Sequence, residues 1–394
     1  MSALATFRNG LTYDGNAVGD GLKIIGVSDF GRLFRIDYDH LQRVRGFDDL
    51  DEASLLRNGD LLFVRSNGNR RLIGRVLYIE RVNERIGHSG FTIKARISDE
   101  RLSPLFAALY FASPVAKRHI HRLGGGTNIS NLNQDILGVL PIPLPPLQEQ
   151  KRIEKVLMTW EIGVERLTEL IIRKISIKQG LVKQILTGKR RFREFETCAI
   201  IPTRLYEVFD KVADAVDVEP TRMYQEIGIR SHGRGLFHKQ PVLGHILAEK
   251  RVYRVVPDCL TLNIVFAWER ALAVTTSQEE GMVVSHRFPM FRPNRDRILP
   301  EYALMYMLSQ PGEEALQLAS PGGAGRNRTL SQTAFLKTPI PLPSVDEQRR
   351  IVDFIIVIDL EIETLQKHLA ALKDQKKGLM QKLLTGEVRV KGEP

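Results

Sequence analysis

The chain has 394 residues, 43% of them hydrophobic and 26% charged, which suits two or three ordinary folded domains. No apolar run reaches the roughly 18 residues of a membrane-spanning helix, residues 1–10 lack the apolar segment of a signal peptide, and Cys198 and Cys259 are too few for a disulfide framework or a four-ligand zinc site, so a reducing, cytoplasmic setting is expected. The formal charge of +11 favours a polyanionic partner, because neutralising phosphates releases condensed counterions.

In chain order, residues 1–140 mix short strands and helices. Asp60–Arg65, Leu72–Ile79 and Phe91–Ile97 have strand character, and Leu102–Phe111 reads as a helix ahead of a Gly-rich turn at 124–128. Residues 141–196 open with Pro141-Ile142-Pro143-Leu144-Pro145, which proline should hold extended. A long helix follows and stops near Gly188, a residue suited to the left-handed position after a helix end. Residues 197–338 return to mixed character, with strand-like Leu260–Trp268, Leu272–Thr275 and Met282–Met290, a helix at Tyr302–Ser309 and a second Gly-rich turn at 322–328. Residues 339–394 carry Pro339-Ile340-Pro341-Leu342-Pro343 and a second long helix. Ser344 and Glu347 stand at capping-box spacing at its start, and Gly386 at its end.

The chain is therefore an internal repeat. A shift of 198 residues carries the first Pro strip onto the second, Glu149-Gln150 onto Glu347-Gln348, Arg152-Ile153 onto Arg350-Ile351 and Leu186-Thr187-Gly188 onto Leu384-Thr385-Gly386. Upstream the likeness is fainter: Gly124-Gly125 matches Gly322-Gly323, and Ile25-Gly26-Val27 with Gly31-Arg32 resembles Ile227-Gly228-Ile229 with Gly233-Arg234 at a shift of 202. Within each long helix, apolar residues alternate at spacings of four and three: Ile153, Leu157, Trp160, Val164, Leu167 and Ile171 in the first, Ile351, Ile355, Ile358, Ile362, Leu365 and Leu369 in the second. A seam sustained over five heptads predicts a coiled coil. Each helix finds its only long partner in its own copy. The expected fold class is thus α+β: two mixed α/β domains, 1–140 and 197–338, with two long helices that pair as an antiparallel coiled coil in a pseudo-two-fold repeat.

The polar turns carry the candidate site. Arg65-Ser66-Asn67 and Arg70 follow a strand; Arg32, Thr127 and Asn128 lie in other turns of the first copy. Arg230-Ser231-His232 with Arg234, and Arg326-Asn327-Arg328, lie in the second. Arg pairs bidentately with guanine and Asn with adenine, while Ser, Thr and glycine-flanked amides suit phosphate. These fourteen residues are the predicted DNA contacts.

No nucleotide-binding glycine motif opens a helix after a strand. Asp258 followed by Glu269-Arg270 resembles a metal-dependent nuclease pattern, but the lysine it needs is missing and the first copy has no matching carboxylate. His119 and His121 lack further metal ligands nearby, so neither a catalytic centre nor a metal site is expected.

Two variable domains, each followed by Pro-Ile-Pro-Leu-Pro, Glu-Gln, a long helix and Leu-Thr-Gly, resemble the specificity subunit of type I restriction–modification systems over the whole chain. The resemblance implies that residues 1–140 and 197–338 are target-recognition domains that read a split double-stranded DNA target. It implies assembly with two methyltransferase (modification) subunits and with restriction/translocase subunits. S-adenosylmethionine, ATP and Mg are expected on those partners, and no cofactor on this chain. A helical scaffold holding two protein clients, or a self-contained enzyme whose catalytic domain lies outside these residues, are the competing readings; the basic charge and the Arg- and Asn-rich loops favour DNA.

Overall fold

The computed structural model describes residues 1–31, 36–47, 49–123, 131–247, 251–322 and 328–390. The chain divides into two compact units that do not follow sequence order: Met1–Glu169 with Lys367–Pro394, and Leu170–Gln366.

In the first unit, β1 (Ala5–Asn9), β2 (Val18–Ile25), β3 (Gln42–Val44), β4 (Leu61–Val64), β5 (Val76–Tyr78), β6 (Ile86–His88) and β7 (Thr92–Ile97) make two sheets. One is antiparallel in the order β1-β7-β4-β5; the other runs β3-β2-β6, with β2 and β6 parallel. β4 is buried along its whole length, as a central strand with both faces covered must be. Against it pack α1 (Pro104–Ala112) and α2 (Pro114–Leu123), with Phe63 meeting Phe111 edge to face at 5.2 Å. Pro104 at the first position of α1 fits its fixed φ. The short α3 (Gln134–Val139) is capped by Asn133, whose side chain accepts from the Ile136 amide. The long helix α4 (Leu147–Leu186) begins here.

The second unit holds β8 (Ile201–Arg204), β9 (Phe209–Val212), β10 (Met223–Tyr224), β11 (Ile227–Ile229), β12 (Leu236–His238), β13 (Val242–Leu243), β14 (Val252–Arg254), β15 (Leu260–Leu262), β16 (Leu272–Val274), β17 (Val283–Ser285), β18 (Met290–Pro293), α5 (Pro300–Leu308), α6 (Gln310–Leu318), α7 (Gln332–Leu336) and β19 (Pro339–Leu342). Its main sheet has the order β9-β18-β15-β16, which repeats β1-β7-β4-β5 strand for strand. The second Pro strip is a strand: β19 pairs antiparallel with β8, Pro341 facing Pro202 in a two-stranded ladder where missing donors are tolerated. The second long helix is α8 (Val345–Leu384).

Several predicted strands are shorter than their apolar runs. Leu72–Ile79 is a strand only over β5, because a 3-10 turn at Arg70–Leu72 and the left-handed Gly74 come first. Leu260–Trp268 ends at Leu262, where the Asn263 side chain accepts from the Val265 amide and turns the chain. Met282–Met290 is two strands, β17 and β18, split by a turn. No described helix is long and apolar enough to cross a membrane.

Each long helix runs 40 residues without interruption, and no seam position on either is exposed. In the first unit Ile153 and Leu157 of α4 share a core with Met380, Leu383 and Leu384 of α8, and Lys376 pairs with Glu161. In the second unit Ile185 and Leu186 share a core with Ile351, Val352 and Ile355, and Lys178 pairs with Asp359. In both places position advances along one helix as it recedes along the other, so the pairing is an antiparallel coiled coil. The contacts recur with their partners exchanged, as a pseudo-two-fold repeat demands: adding 198 to Glu161 and Lys178 gives Asp359 and Lys376.

The same exchange explains the Glu-Gln that recurs in the repeat. Glu149 binds Arg389 through two bonds of 2.7 and 2.5 Å, and Glu347 binds Arg191, the residue 198 positions before Arg389. The predicted capping box is therefore half present. Ser344 accepts from the Glu347 amide at 3.3 Å, but the Glu347 carboxylate is taken by Arg191 instead of the helix start. Gly188 and Gly386 adopt left-handed φ of 71° and 76°, and past them the Arg190 and Val388 amides return to Gln184 and Lys382.

Because Arg389 belongs to the first unit's fold, the far C-terminus stabilises a domain some 240 residues upstream. Its guanidinium holds the buried Glu149 carboxyl below its usual range. A depressed carboxylate pKa adds stability above the ordinary carboxylate range that is lost as pH falls through the lowered value. Arg389→Gln is expected to lower the melting temperature at neutral pH and to move the onset of acid unfolding upward; melting curves between pH 7 and 3 check both. An unchanged acid limb would show that the pair does not contribute.

Candidate nucleic-acid interface

Where they are described, the candidate loops lie at one end of the main sheet in each unit. In the first, the chain leaves β4 at Arg65, whose carbonyl accepts from the Leu132 amide at 2.8 Å. That bond ties the 65–71 loop to the segment just after the Gly-rich turn. Within the loop, Asn67 accepts from the Asn69 amide at 2.8 Å and Asn69 from the Arg71 amide at 3.1 Å, a nested turn that shapes Ser66 to Arg71. Arg70 is exposed, and Arg65, Ser66 and Asn67 are half-buried. The basic helix α2 packs beside this loop: a β-carbon at Gly74 would lie 3.2 Å from Ile120. Arg75 reaches the Gly31 carbonyl at 3.5 Å, placing the turn before Arg32 on the same side. Arg32, Thr127 and Asn128 lie outside the described residues.

The second unit repeats the arrangement. The chain leaves β15 at Asn263-Ile264, and the Ile264 carbonyl accepts from Leu330 at 2.8 Å. Arg328 lies over the Trp268 ring at 5.5 Å, in cation–π contact. The β11–β12 hairpin docks on the same region: the His232 and Gly233 amides donate to the Glu269 and Arg270 carbonyls, and Ser231 donates to the Glu269 carboxylate at 2.7 Å. His232 sits at the hairpin tip with a left-handed φ of 62°, and Arg234 is exposed. Arg230 is exposed as well, donating to the Leu236 carbonyl and stacking on Phe237 at 4.9 Å. Arg326 and Asn327 lie outside the described residues.

These contacts also account for the nuclease-like pair. Asp258 is bound to Arg295 at 2.8 Å, and Glu269 serves the hairpin. Sequence reasoning missed the basic surface of α2, with Lys117, Arg118 and Arg122 spaced along a helix that has only Val115, Ala116 and Ile120 buried. Its amphipathic spacing was readable.

The family model for the type I restriction modification DNA specificity domain matches residues 34–176 and 262–374, more than half of the chain. A relative from Methanocaldococcus jannaschii, provisionally named as the specificity subunit of type I restriction enzyme MjaX, is 26% identical over 98% of this chain and 92% of its own length. The specificity subunit of the EcoKI enzyme of Escherichia coli is 24% identical over 48% of this chain and 41% of its own. Among solved structures, the type I S subunit from M. genitalium aligns over 97% of this chain and 94% of its own at 14% identity and a TM-score of 0.51, which shows the fold. The chain belongs to the family of the type I restriction–modification DNA specificity domain, and its function is DNA-sequence recognition within such a system.

Proposed function

We propose that this chain is the non-catalytic reading subunit of the complex: each unit recognises one half of a split duplex target. Two methyltransferase subunits, and restriction/translocase subunits beyond them, would be carried to that target, with S-adenosylmethionine, ATP and Mg held on those partners. The observation that carries the reading is the recurrence in both units of one loop construction, in which the exit of the central strand is hydrogen-bonded to the segment after a Gly-rich turn. Cationic and amide side chains gather around both junctions, and the chain's net charge of +11 suits phosphate.

Arg65, Arg70, Arg326 and Arg328 test this reading. Each alanine change should weaken binding by about 1–3 kcal/mol if the residue meets a base. It should weaken all sequences evenly, with a salt slope shallower by about one, if it meets phosphate. Fluorescence anisotropy on duplex DNA across a salt series reads both. Affinity unchanged in all four variants at low salt would remove these loops from the interface.

A further inference from the structure

The turn between β6 and β7 in the first unit and that between β17 and β18 in the second are the same structure. The Thr92 amide closes the first on the Ser89 carbonyl at 2.8 Å; the Phe288 amide closes the second on the Ser285 carbonyl at 3.0 Å. Each turn is fastened to the exit of the central strand by its third residue. The Phe91 carbonyl accepts from the Arg65 amide at 2.8 Å, and the Arg287 carbonyl from the Ile264 amide at 3.0 Å. Phe91 and Arg287 are thus equivalent positions, each beside the candidate loops of its own unit.

Both side chains point away from the protein. Phe91 is 63% exposed and, among the described residues, stacks on no other ring. Arg287 is exposed and, among the described residues, has no ion pair or side-chain hydrogen bond. The first turn is rigid: the Gly90 amide donates to the Leu11 carbonyl at 2.6 Å, Ser89 accepts from the Phe91 amide at 3.3 Å, and Thr92 bonds both the Ser89 carbonyl and the buried His88. A single exposed apolar residue is ordinary on a protein surface. One held on a fixed turn, hydrogen-bonded to a candidate DNA-binding arginine and matched by a free arginine in the sister unit, is not explained by folding.

We propose that these turns are specificity-determining contacts, Phe91 reading the methyl group of a thymine in one half-site and Arg287 reading a guanine in the other; this rests on the DNA reading above. A phenyl ring neither donates nor accepts, so the feature it distinguishes on a major-groove edge is the thymine methyl. A free guanidinium matches the paired acceptors of guanine. The same turn thus carries opposite chemistries in the two units.

The test uses the full chain and a pool of random-sequence duplexes, from which bound species are selected and sequenced. Wild-type protein is expected to select a split motif. Phe91→Ala should relax one thymine position in one half only, and Arg287→Ala one guanine position in the other half only, each with discrimination falling about 5- to 150-fold. Replacing that thymine by deoxyuridine should weaken the wild type and leave Phe91→Ala unaffected. Both residues are exposed, so unchanged melting temperatures should accompany these effects. A motif unaltered in both variants overturns the proposal, as does a weakening spread evenly over all sequences, which a phosphate contact would give. Failure of the wild type to select any motif would overturn the DNA reading itself.

Discussion

Replacing Gln150 by Met is expected to destabilise the protein by about 3–4 kcal/mol, and Gln348→Met by the same amount, the largest stability effects foreseen for any single polar residue in the chain. Both glutamines are completely buried. Gln150 accepts from the Ser103 amide at 2.8 Å and donates to the carbonyls of Arg101 at 2.7 Å and Pro145 at 2.8 Å. Gln348 makes the equivalent bonds to Leu299, Arg297 and Pro343 at 2.9, 2.8 and 2.9 Å. One amide therefore joins three segments: the start of the sheet-packing helix, the Pro strip and the first turn of the long helix. Methionine fills nearly the same volume but leaves one backbone donor and two acceptors buried without partners, at about 1–3 kcal/mol each before relaxation. Urea unfolding reads the loss, with exposed Gln179→Met as the control, expected within about 0.5 kcal/mol of wild type. A loss below about 1 kcal/mol in both buried variants would mean that water or a shifted backbone replaces these bonds.

The Glu-Gln pair shows where the sequence was legible and where it was not. Its recurrence at a constant shift of 198 was visible, and so were the seam, the helix stops and the antiparallel pairing, because helical periodicity is written in consecutive residues. The function of the two side chains was not. Their partners, Ser103 and Leu299 for the glutamines and Arg389 and Arg191 for the glutamates, lie 47 to 240 residues away and share no local pattern. The strands were found by apolar content but drawn too long, since apolar runs such as Leu260–Trp268 continue through turns made by Asn263 and by the hairpin contacts of Glu269.

The candidate site could be read from the sequence only as a class of loop. Arg65 and Ile264 leave equivalent strands at a shift of 199, Phe91 and Arg287 stand at 196, and the Gly26 and Gly228 turns at 202. Small insertions between these points break the register, and only the serine of the Ser89 and Ser285 turns is shared in place. Structure restores the equivalence because hydrogen bonds between elements do not depend on the intervening lengths. It also shows the exposed Arg230 engaged by a carbonyl six residues on, a bond that no motif announces.

Exchange of residues 1–140 for the corresponding domain of another family member is expected to change one half of the DNA target and leave the other untouched. The junction between Leu140 and Pro141 keeps the Pro strip, Gln150 and both long helices in place. The N-terminal amine, which donates to the carbonyls of Gly138 at 2.9 Å and Leu140 at 3.1 Å, travels with the exchanged segment. The incoming domain must still offer a buried amide to Gln150 and an apolar face to Ile153, Leu157, Met380 and Leu383. Where it does, the loops around Arg65 and Phe91 are replaced as a block while those around Ile264 and Arg287 remain. Preference for the original first half-site should fall by about three orders of magnitude, the lower end of the gap between specific and non-specific binding. Selection from random duplexes by the chimera reads both halves at once. A change in both halves would mean that the two units read the DNA jointly, and no change in either would mean that residues 1–140 do not read it; each result would defeat the assignment of one half-site to each unit.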